Sequence, residues 1–379
     1  MKIVLIGNYP ADRQPSMVRY ADFLERELKK AGHDVSLISP RLVLRALMPA
    51  RNQLGKWLGY IDKFLIFRFS SLLQIKNADV VHICDHGNSI YIPWIPKIPK
   101  VITCHDALAI RSTLGHYPQN ATARSGRILQ TWILKSLHRA DHIVYVSEKT
   151  KFDFEQLLGL NVNANVIPHA LNWPFSVVGK SEIDPTLRGF GLDRNGYLLH
   201  VGGNDWNKNR IGVLRMFHCL QIQGKFEKLQ LVMAGKGFTG EMRAFCRENA
   251  LHGVVELHGV CNEQLRALYS GAFALLFPSL EEGFGWPIVE AQACGCPVIT
   301  SNRAPMNEIA GEGAKFVDPE KPDSIVDAMR ECAAERDAVI AAGFSNLARF
   351  AVDDTIDRYE AVYELLSNLV FGQVNQSAA

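Results

Sequence analysis

Residues 273–302, FALLFPSLEEGFGWPIVEAQACGCPVITSN, decide the fold. FALLFPS (273–279) is short, apolar and free of charge, as a buried strand is. A loop with two glycines follows; Pro287 stands where a helix would begin and Gly295 where it would end, before a second strand, PVITSN (297–302). Strand, loop, helix and strand in this order make a parallel unit with a right-handed crossover. Gly283 and Gly285 let the backbone approach a ligand closely. The helix start behind them offers N–H groups and a positive dipole end, which suit an anion. Glu290, in the first helical turn, and Glu282, from the loop, accept hydrogen bonds from hydroxyls. An anion site beside two carboxylates fits a phosphorylated sugar.

The same alternation runs outward in both directions. Strands are expected at 2–7, 34–39, 79–84, 100–105, 142–147 and 163–169, then at 197–203, 229–235, 254–259, 273–279, 297–302 and 314–319, with amphipathic stretches between them. Met17, Tyr20, Phe23, Leu24 and Leu28 share one face of a helix over 16–31; Ile356, Tyr359, Val362, Leu365 and Leu366 do so over 352–371. Residues 171–196, rich in Pro and Gly and weak in period, read as a linker. The expected fold is α/β, with two Rossmann-like doubly wound domains, 1–170 and 197–350. A terminal helix, 351–379, crosses back to the first domain. Ligands of open α/β sheets bind at the C-terminal strand ends, so residues just after strands carry the functional interest.

Glu282 and Glu290, separated by seven residues in EGFGWPIVEAQACGCPVI, resemble the Glu-x7-Glu signature of the retaining, two-domain GT-B glycosyltransferases of family four, also called glycosyltransferase group 1. The resemblance continues through VGG and Lys208 (201–208), VMAGKG (232–237), LHGVCNEQLRALYSGA (257–272), ADHIVYVSEKTK (140–151) and VIPHALN (166–172). It implies that Glu290 holds the nucleotide ribose and Glu282 the transferred sugar. The amides of Gly283, Phe284 and Gly285 would meet donor phosphate or sugar hydroxyls. Lys208 matches the lysine that binds pyrophosphate, after the glycines Gly202 and Gly203. The family usually carries Arg where this chain has Gly203, and Arg210 either supplies that guanidinium or points to solvent. A cation is required because the leaving nucleoside diphosphate gains charge. Main-chain groups at Gly259, Val260 and Cys261 would hold the base, which leaves UDP and GDP unresolved.

In the first half, the resemblance gives His105, after the strand ending in Thr103-Cys104, a hydrogen bond to the donor sugar. Asp85 and His86 hold a similar strand-end position, and Arg13 and Ser16 follow the first strand where relatives carry a glycine-rich acceptor loop that this chain lacks. These four are the candidate acceptor contacts. Ser147 reads as the N-cap of a helix starting at Glu148.

Composition narrows the function. With 379 residues, 47% apolar, the chain suits two packed domains. Its 41 Lys and Arg against 39 Asp and Glu give no overall pull toward nucleic acid. Residues 1–170 hold 22 basic and 13 acidic side chains and the remainder 19 and 26, so the halves carry +9 and −7. Eight cysteines without CxxC or finger spacing read as reduced core thiols, and no convincing DxD or other metal motif is present. No apolar run approaches the roughly 20 residues of a bilayer span, and the opening residues turn polar too soon for a signal peptide. Arg41, Arg45, Arg51, Lys56, Lys63, Arg68 and Lys76 stand against one acid, Asp62, among interleaved leucines and aromatics. Such a segment either meets an anionic bilayer surface or packs into the core with solvated charges.

The sequence therefore leads to a cytoplasmic, metal-independent retaining glycosyltransferase, without cofactor, that moves a hexose from a nucleotide-sugar donor to a hydroxyl of a lipid-linked or polysaccharide acceptor. Peripheral membrane contact is expected and nucleic acid is not. The alternatives are a nucleotide-sugar epimerase or other GT-B enzyme, and a non-catalytic nucleotide-sugar-binding module.

Overall fold

The computed structural model describes the chain except residues 13, 48–52, 160–162, 225, 227 and 378–379; the side chains of 53, 56 and 370–377 also lie outside it. All twelve expected strands are present, each trimmed at its ends: β1 (Lys2–Ile6), β2 (Asp34–Ile38), β3 (Val80–Ile83), β4 (Lys100–Cys104), β5 (His142–Tyr145), β6 (Ala164–Val166), β7 (Tyr197–Gly202), β8 (Gln230–Gly235), β9 (Val254–Leu257), β10 (Ala274–Phe277), β11 (Val298–Ser301) and β12 (Ala314–Val317). They form two six-stranded sheets, ordered β2-β1-β3-β4-β5-β6 and β12-β11-β10-β7-β8-β9. Every pairing is parallel. Helices cover such sheets on both faces, which is why their central strands are apolar throughout: Leu198, Leu199, Leu275, Leu276 and Phe277 are all fully buried.

Each sheet has one place where the chain reverses its direction of winding. In the first it lies between β1 and β3, in the second between β7 and β10. Loops leaving neighbouring strands diverge there, opening a crevice at the C-terminal strand ends.

Two compact units result, Met1–Asn172 with Val352–Ala379, and Trp173–Ala351. The stretch 171–196 is more than a linker. It contains a helix, Lys180–Gly189, that buries Ile183 and Leu187 and accommodates Pro185 in its interior. The last helix, Val352–Ser377, belongs to the first unit. It buries Ile356, Tyr359, Val362, Tyr363 and Leu366, while Leu365, expected on that face, is exposed. Its polar anchors are Tyr359 and Tyr363. The Tyr20 hydroxyl meets that of Tyr359 at 2.7 Å and Thr103 Oγ1 at 3.0 Å; His82 bridges Thr103 Oγ1 (2.8 Å) and the Tyr363 hydroxyl (2.6 Å). Burial holds His82 neutral, with a pKa lowered to about 3.

Among the eight cysteines, Cys84, Cys104, Cys294, Cys296 and Cys332 are buried and Cys219 and Cys246 partly so, but Cys261 is exposed at a helix start rather than in the core.

Candidate active site

The winding switch of the second sheet gathers most of the residues singled out above. β10 ends at Phe277 and a loop leads into the helix Trp286–Ala293. Gly285, at φ 102°, takes a left-handed turn immediately before the helix, and a β-carbon there would lie 3.3 Å from Ile288 Cδ1. Only glycine adopts this conformation without strain. Phe284 is buried against Trp286 and Phe350, which fixes the loop that carries Glu282 and Gly283.

The neighbouring loop, after β7, is tied to this one. Asn207 donates through Nδ2 to the Glu281 carbonyl at 2.9 Å, and Leu280 N–H donates to the Asn207 carbonyl at 2.7 Å. Asn209, itself left-handed, donates to the carbonyls of Pro278 and Pro319. Between these two asparagines stands Lys208, whose Nζ lies 2.6 and 2.8 Å from the carboxylate oxygens of Glu282 and 5.6 Å from the centre of the Phe277 ring. The loop is thus built to present one lysine to one glutamate.

Glu290 is 3% exposed, and Tyr269 donates its hydroxyl proton to Glu290 Oε2 at 3.0 Å. Burial, and then the Glu290 charge, hold the Tyr269 phenol well above its ordinary pKa, so it remains a donor. Tyr269 sits in the family-like stretch 257–272 but carries no chemical motif of its own, and its role is visible only in three dimensions. The same is true of Asn207 and Asn209, although their position on either side of Lys208 is a local signal.

Of the two positions open to Arg210 from the sequence, the structure excludes the solvent-facing one, because the residue is 3% exposed. Its Nη1 donates to the Asn204 side chain and to the Lys236 carbonyl, and its guanidinium covers the Phe238 ring. Nε and Nη2 are buried with no hydrogen-bond partner among the described residues, and burial lowers its pKa. Beside it His200, on β7, donates Nδ1–H to the Leu276 carbonyl and is held neutral by burial, with a pKa lowered to about 3.

The turn expected to hold the base, Gly259–Cys261, lies at the surface. Gly259 is at φ 63°, Val260 is half-buried and Cys261 N–H donates to the Gln264 side chain at 3.1 Å, so that amide is already engaged.

In the first unit, the corresponding switch holds a network of short polar contacts. Asn8, after β1, donates to Asp85 Oδ2 at 2.5 Å and to Gln14 Oε1, and accepts from Asn88. Gly87 N–H donates to Asp85 Oδ1, so both Asp85 oxygens serve the fold at a helix start. Burial raises the Asp85 pKa, but His86, His105, Asn8 and Gly87 outweigh it and the carboxyl stays below its ordinary range. His86 is buried, with Nδ1 3.3 Å from Asp85. His105 is also committed: with the ring neutral, Nε2–H donates to the Cys84 carbonyl at 2.7 Å and Nδ1 accepts from His169 at 3.0 Å. Ser16 is half-buried in the first turn of the helix Pro15–Lys30, and Arg13 lies outside the described residues. Ser147 accepts from Thr150 N–H at 3.0 Å, capping its helix. Asn8 and His169 were not legible as site residues: an Asn after a strand and a His within VIPHALN are common in structural roles.

Two Rossmann-like units, with paired carboxylates and a lysine at the winding switch of the second, are the architecture of a GT-B glycosyltransferase. Sequence comparison narrows this. The model described as Glycosyl transferases group 1 matches residues 190–340, and that described as Glycosyltransferase Family 4 matches residues 17–172. The O-antigen chain mannosyltransferase RfbU of Salmonella typhimurium is 38% identical over 338 residues, which cover 88% of this chain and 85% of that one. The O-antigen chain mannosyltransferase B of Escherichia coli is 25% identical over 332 residues, 84% of each chain. The protein belongs to the group 1, family 4 glycosyltransferases. Its fold is shared with sucrose-phosphate synthase of Thermosynechococcus elongatus (TM-score 0.73, 18% identity, 97% of this chain and 99% of that one). It is shared as well with Anabaena Alr3699/HepE in complex with UDP and glucose (TM-score 0.71, 14% identity, 96% and 99%).

Proposed function

We propose that the protein is a retaining glycosyltransferase that moves a hexose, mannose, from a nucleoside-diphosphate donor to a hydroxyl of a lipid-linked or polysaccharide glycan. The observation that carries this reading is the pairing of Lys208 with Glu282 at the switch of the second sheet, next to the buried Glu290. Mannose is favoured by two relatives named as mannosyltransferases, each matching more than four-fifths of the chain. In this reading Glu290 accepts from the ribose hydroxyls and Glu282 from hydroxyls of the transferred sugar. Lys208 supplies positive charge as the diphosphate departs, so the chemistry asks for no divalent ion. The acceptor hydroxyl attacks from the face the leaving group vacates, and its proton passes to a departing phosphate oxygen. The anomeric configuration is retained.

Acceptor delivery at a membrane is the second part of the reading. The helices Gln53–Ile61 and Phe67–Ile75, joined by a wider turn over Asp62–Ile66, expose Leu54, Trp57, Ile61, Leu65, Phe69 and Leu73, from 38% to 83% each, at spacings of three or four residues. Asp62 does not offset the surrounding positive charge at the surface. It is fully buried and accepts from Tyr9 and from the amides of Val43, Leu44 and Arg45. Lys63 is paired with Asp12, and Arg51 and the Lys56 side chain lie outside the described residues, which leaves Arg41, Arg68 and Lys76 as exposed flanking cations. An apolar stripe with basic borders suits an anionic bilayer. Among the described residues no helix is long and apolar enough to cross one.

The test is transfer from GDP-mannose and from UDP-hexoses to lipid-linked glycan extracted from membranes, with and without EDTA, and the anomeric configuration of the product read by NMR. Mannosyl transfer with retention, insensitive to EDTA, supports the reading. Donor turnover without acceptor would replace it by an epimerase.

A further inference from the structure

Lys208 faces a diphosphate already neutralised: its one positive charge is shared with both oxygens of Glu282. Arg210, the next cation along the chain, is buried under the loops. A site that must stabilise a departing diphosphate needs positive charge beyond a single lysine that is itself ion-paired.

The geometry at the ends of β7 and β8 shows where that charge lies. Gly202 and Gly235 are direct partners in the sheet. Gly235, at φ 141°, leaves so little room that a β-carbon would come within 2.1 Å of the Gly202 carbonyl oxygen, so the two strands leave the sheet side by side. One residue further on, Gly203 and Lys236 are neighbours. A β-carbon built on Gly202 would meet the Lys208 stem at 3.6 Å, and one built on Gly203 would meet Cδ and Cε of Lys236 at 4.0 Å. Two lysine stems therefore flank two consecutive glycines, with His200 Nε2 at 3.1 Å the nearest atom to a β-carbon on Gly202. Lys236 is exposed and forms no ion pair among the described residues. Its backbone is anchored, because its carbonyl accepts from Arg210 Nη1, and the same guanidinium nitrogen donates to Asn204 on the facing loop. Arg210 keeps Nε and Nη2 buried without a hydrogen-bond partner among the described residues, adding positive charge beneath this edge. Acids also stand here: Glu282 on Lys208, Glu256 acting on Arg210, and Asp205, whose Oδ2 would lie 3.0 Å from the same Gly203 β-carbon.

We propose that Lys236 is the second cation of the donor diphosphate site, closing on the phosphates from β8 opposite Lys208, with Arg210 as the residue that positions it. The cation comes from the neighbouring strand because Gly203 provides no side chain on β7. This inference rests on the reading of the β7–β10 edge as the donor site. Its chemistry is recognition of a nucleoside diphosphate by two ammonium groups and the glycine backbone between them, independent of the base.

The test uses the full chain and calorimetric titration with GDP, UDP and the corresponding nucleosides. Lys236→Met is expected to weaken the diphosphate that binds best by at least tenfold and to leave nucleoside binding unchanged. Gly203→Arg in the Lys236→Met background is expected to restore most of the loss, with the flexible Asp205 side chain moving aside. An unaltered diphosphate affinity in Lys236→Met, with a loss in Lys208→Met, would overturn the role of Lys236 alone. Unaltered affinity in both variants would overturn the donor-site reading itself. Equal losses of diphosphate and nucleoside would mean that Lys236 only maintains the fold, and would overturn the inference.

Discussion

Lys208 Nζ lies within 2.8 Å of both carboxylate oxygens of Glu282, and the two residues come from different loops of the second sheet. In the proposed reading the pair couples the sugar end of the site to the phosphate end. Any ligand that draws Lys208 toward a phosphate must also release Glu282 to hydroxyls. Lys208→Ala is expected to lower kcat by on the order of 10²–10³, as for loss of a donor that meets developing charge. Glu282→Gln should reduce kcat while leaving donor KM within a few-fold. Steady-state kinetics with varied donor check both; wild-type turnover in the two variants would refute the assignment.

Tyr269→Phe removes the hydroxyl that donates to the buried Glu290 without changing shape. Hydrogen bonds to charged groups contribute about 1.5–3 kcal/mol, so donor KM should rise roughly tenfold or more. The expected signature is a change in KM with kcat nearly unchanged. A change in kcat alone would show that Glu290 acts on the reacting centre rather than on the nucleotide.

Arg210→Ala leaves the Asn204 side chain and the Lys236 carbonyl without their guanidinium partner. At least a tenfold loss of turnover is expected. Arg210→Lys should recover part of it, because one ammonium reaches one of the two acceptors. Equal activity of wild type and Arg210→Ala would make the residue a buried spacer.

Stability should fall on acidification. His82 and His200 are buried and neutral, each with its pKa lowered to about 3, and burial lowers His105 and His169 as well. In the unfolded chain these rings protonate near pH 6.5. Their contribution is therefore complete above that pH and is lost as pH falls toward 3, at up to about 1.4 kcal/mol per pH unit for each ring. Thermal denaturation between pH 7.5 and 4.5 should show a steep decline, shallower in His82→Gln. A flat profile would show that these rings are protonated in the native state.

Vesicle co-sedimentation tests the membrane contact. Binding is expected with anionic and not with neutral lipid, and it should weaken with salt because the attraction acts over a Debye length of about 8 Å at physiological ionic strength. Trp57→Glu with Leu73→Glu should abolish it. Equal binding to both lipids, or no effect of the substitutions, would favour a soluble acceptor.

Strands were legible because buried parallel strands are apolar without interruption, and the donor-side loop because Gly283, Gly285, Pro287 and two glutamates constrain one another within a few residues. What escaped depends on contacts across the sheet. Tyr269 and Glu290 are 21 residues apart, Lys208 and Glu282 74, and nothing local marks either pairing. The sequence left a solvent-facing Arg210 open because a charged residue at a helix start ordinarily faces water, whereas here it fills the space under two loops. The burial of Asp62 escaped for the same reason, and the helix Lys180–Gly189 was hidden by the proline in its interior.

The return of Val352–Ser377 to the first unit has a consequence for biosynthesis. Tyr359 and Tyr363 supply partners for Tyr20, Thr103 and His82, residues translated some 250 to 340 positions earlier. As the nascent chain lengthens, the second unit, Trp173–Ala351, is continuous and has all its strands available before the first has its last helix. The part made first is thus the part finished last, with a groove of apolar and hydroxyl-bearing side chains left open to chaperones until residues 352–366 emerge.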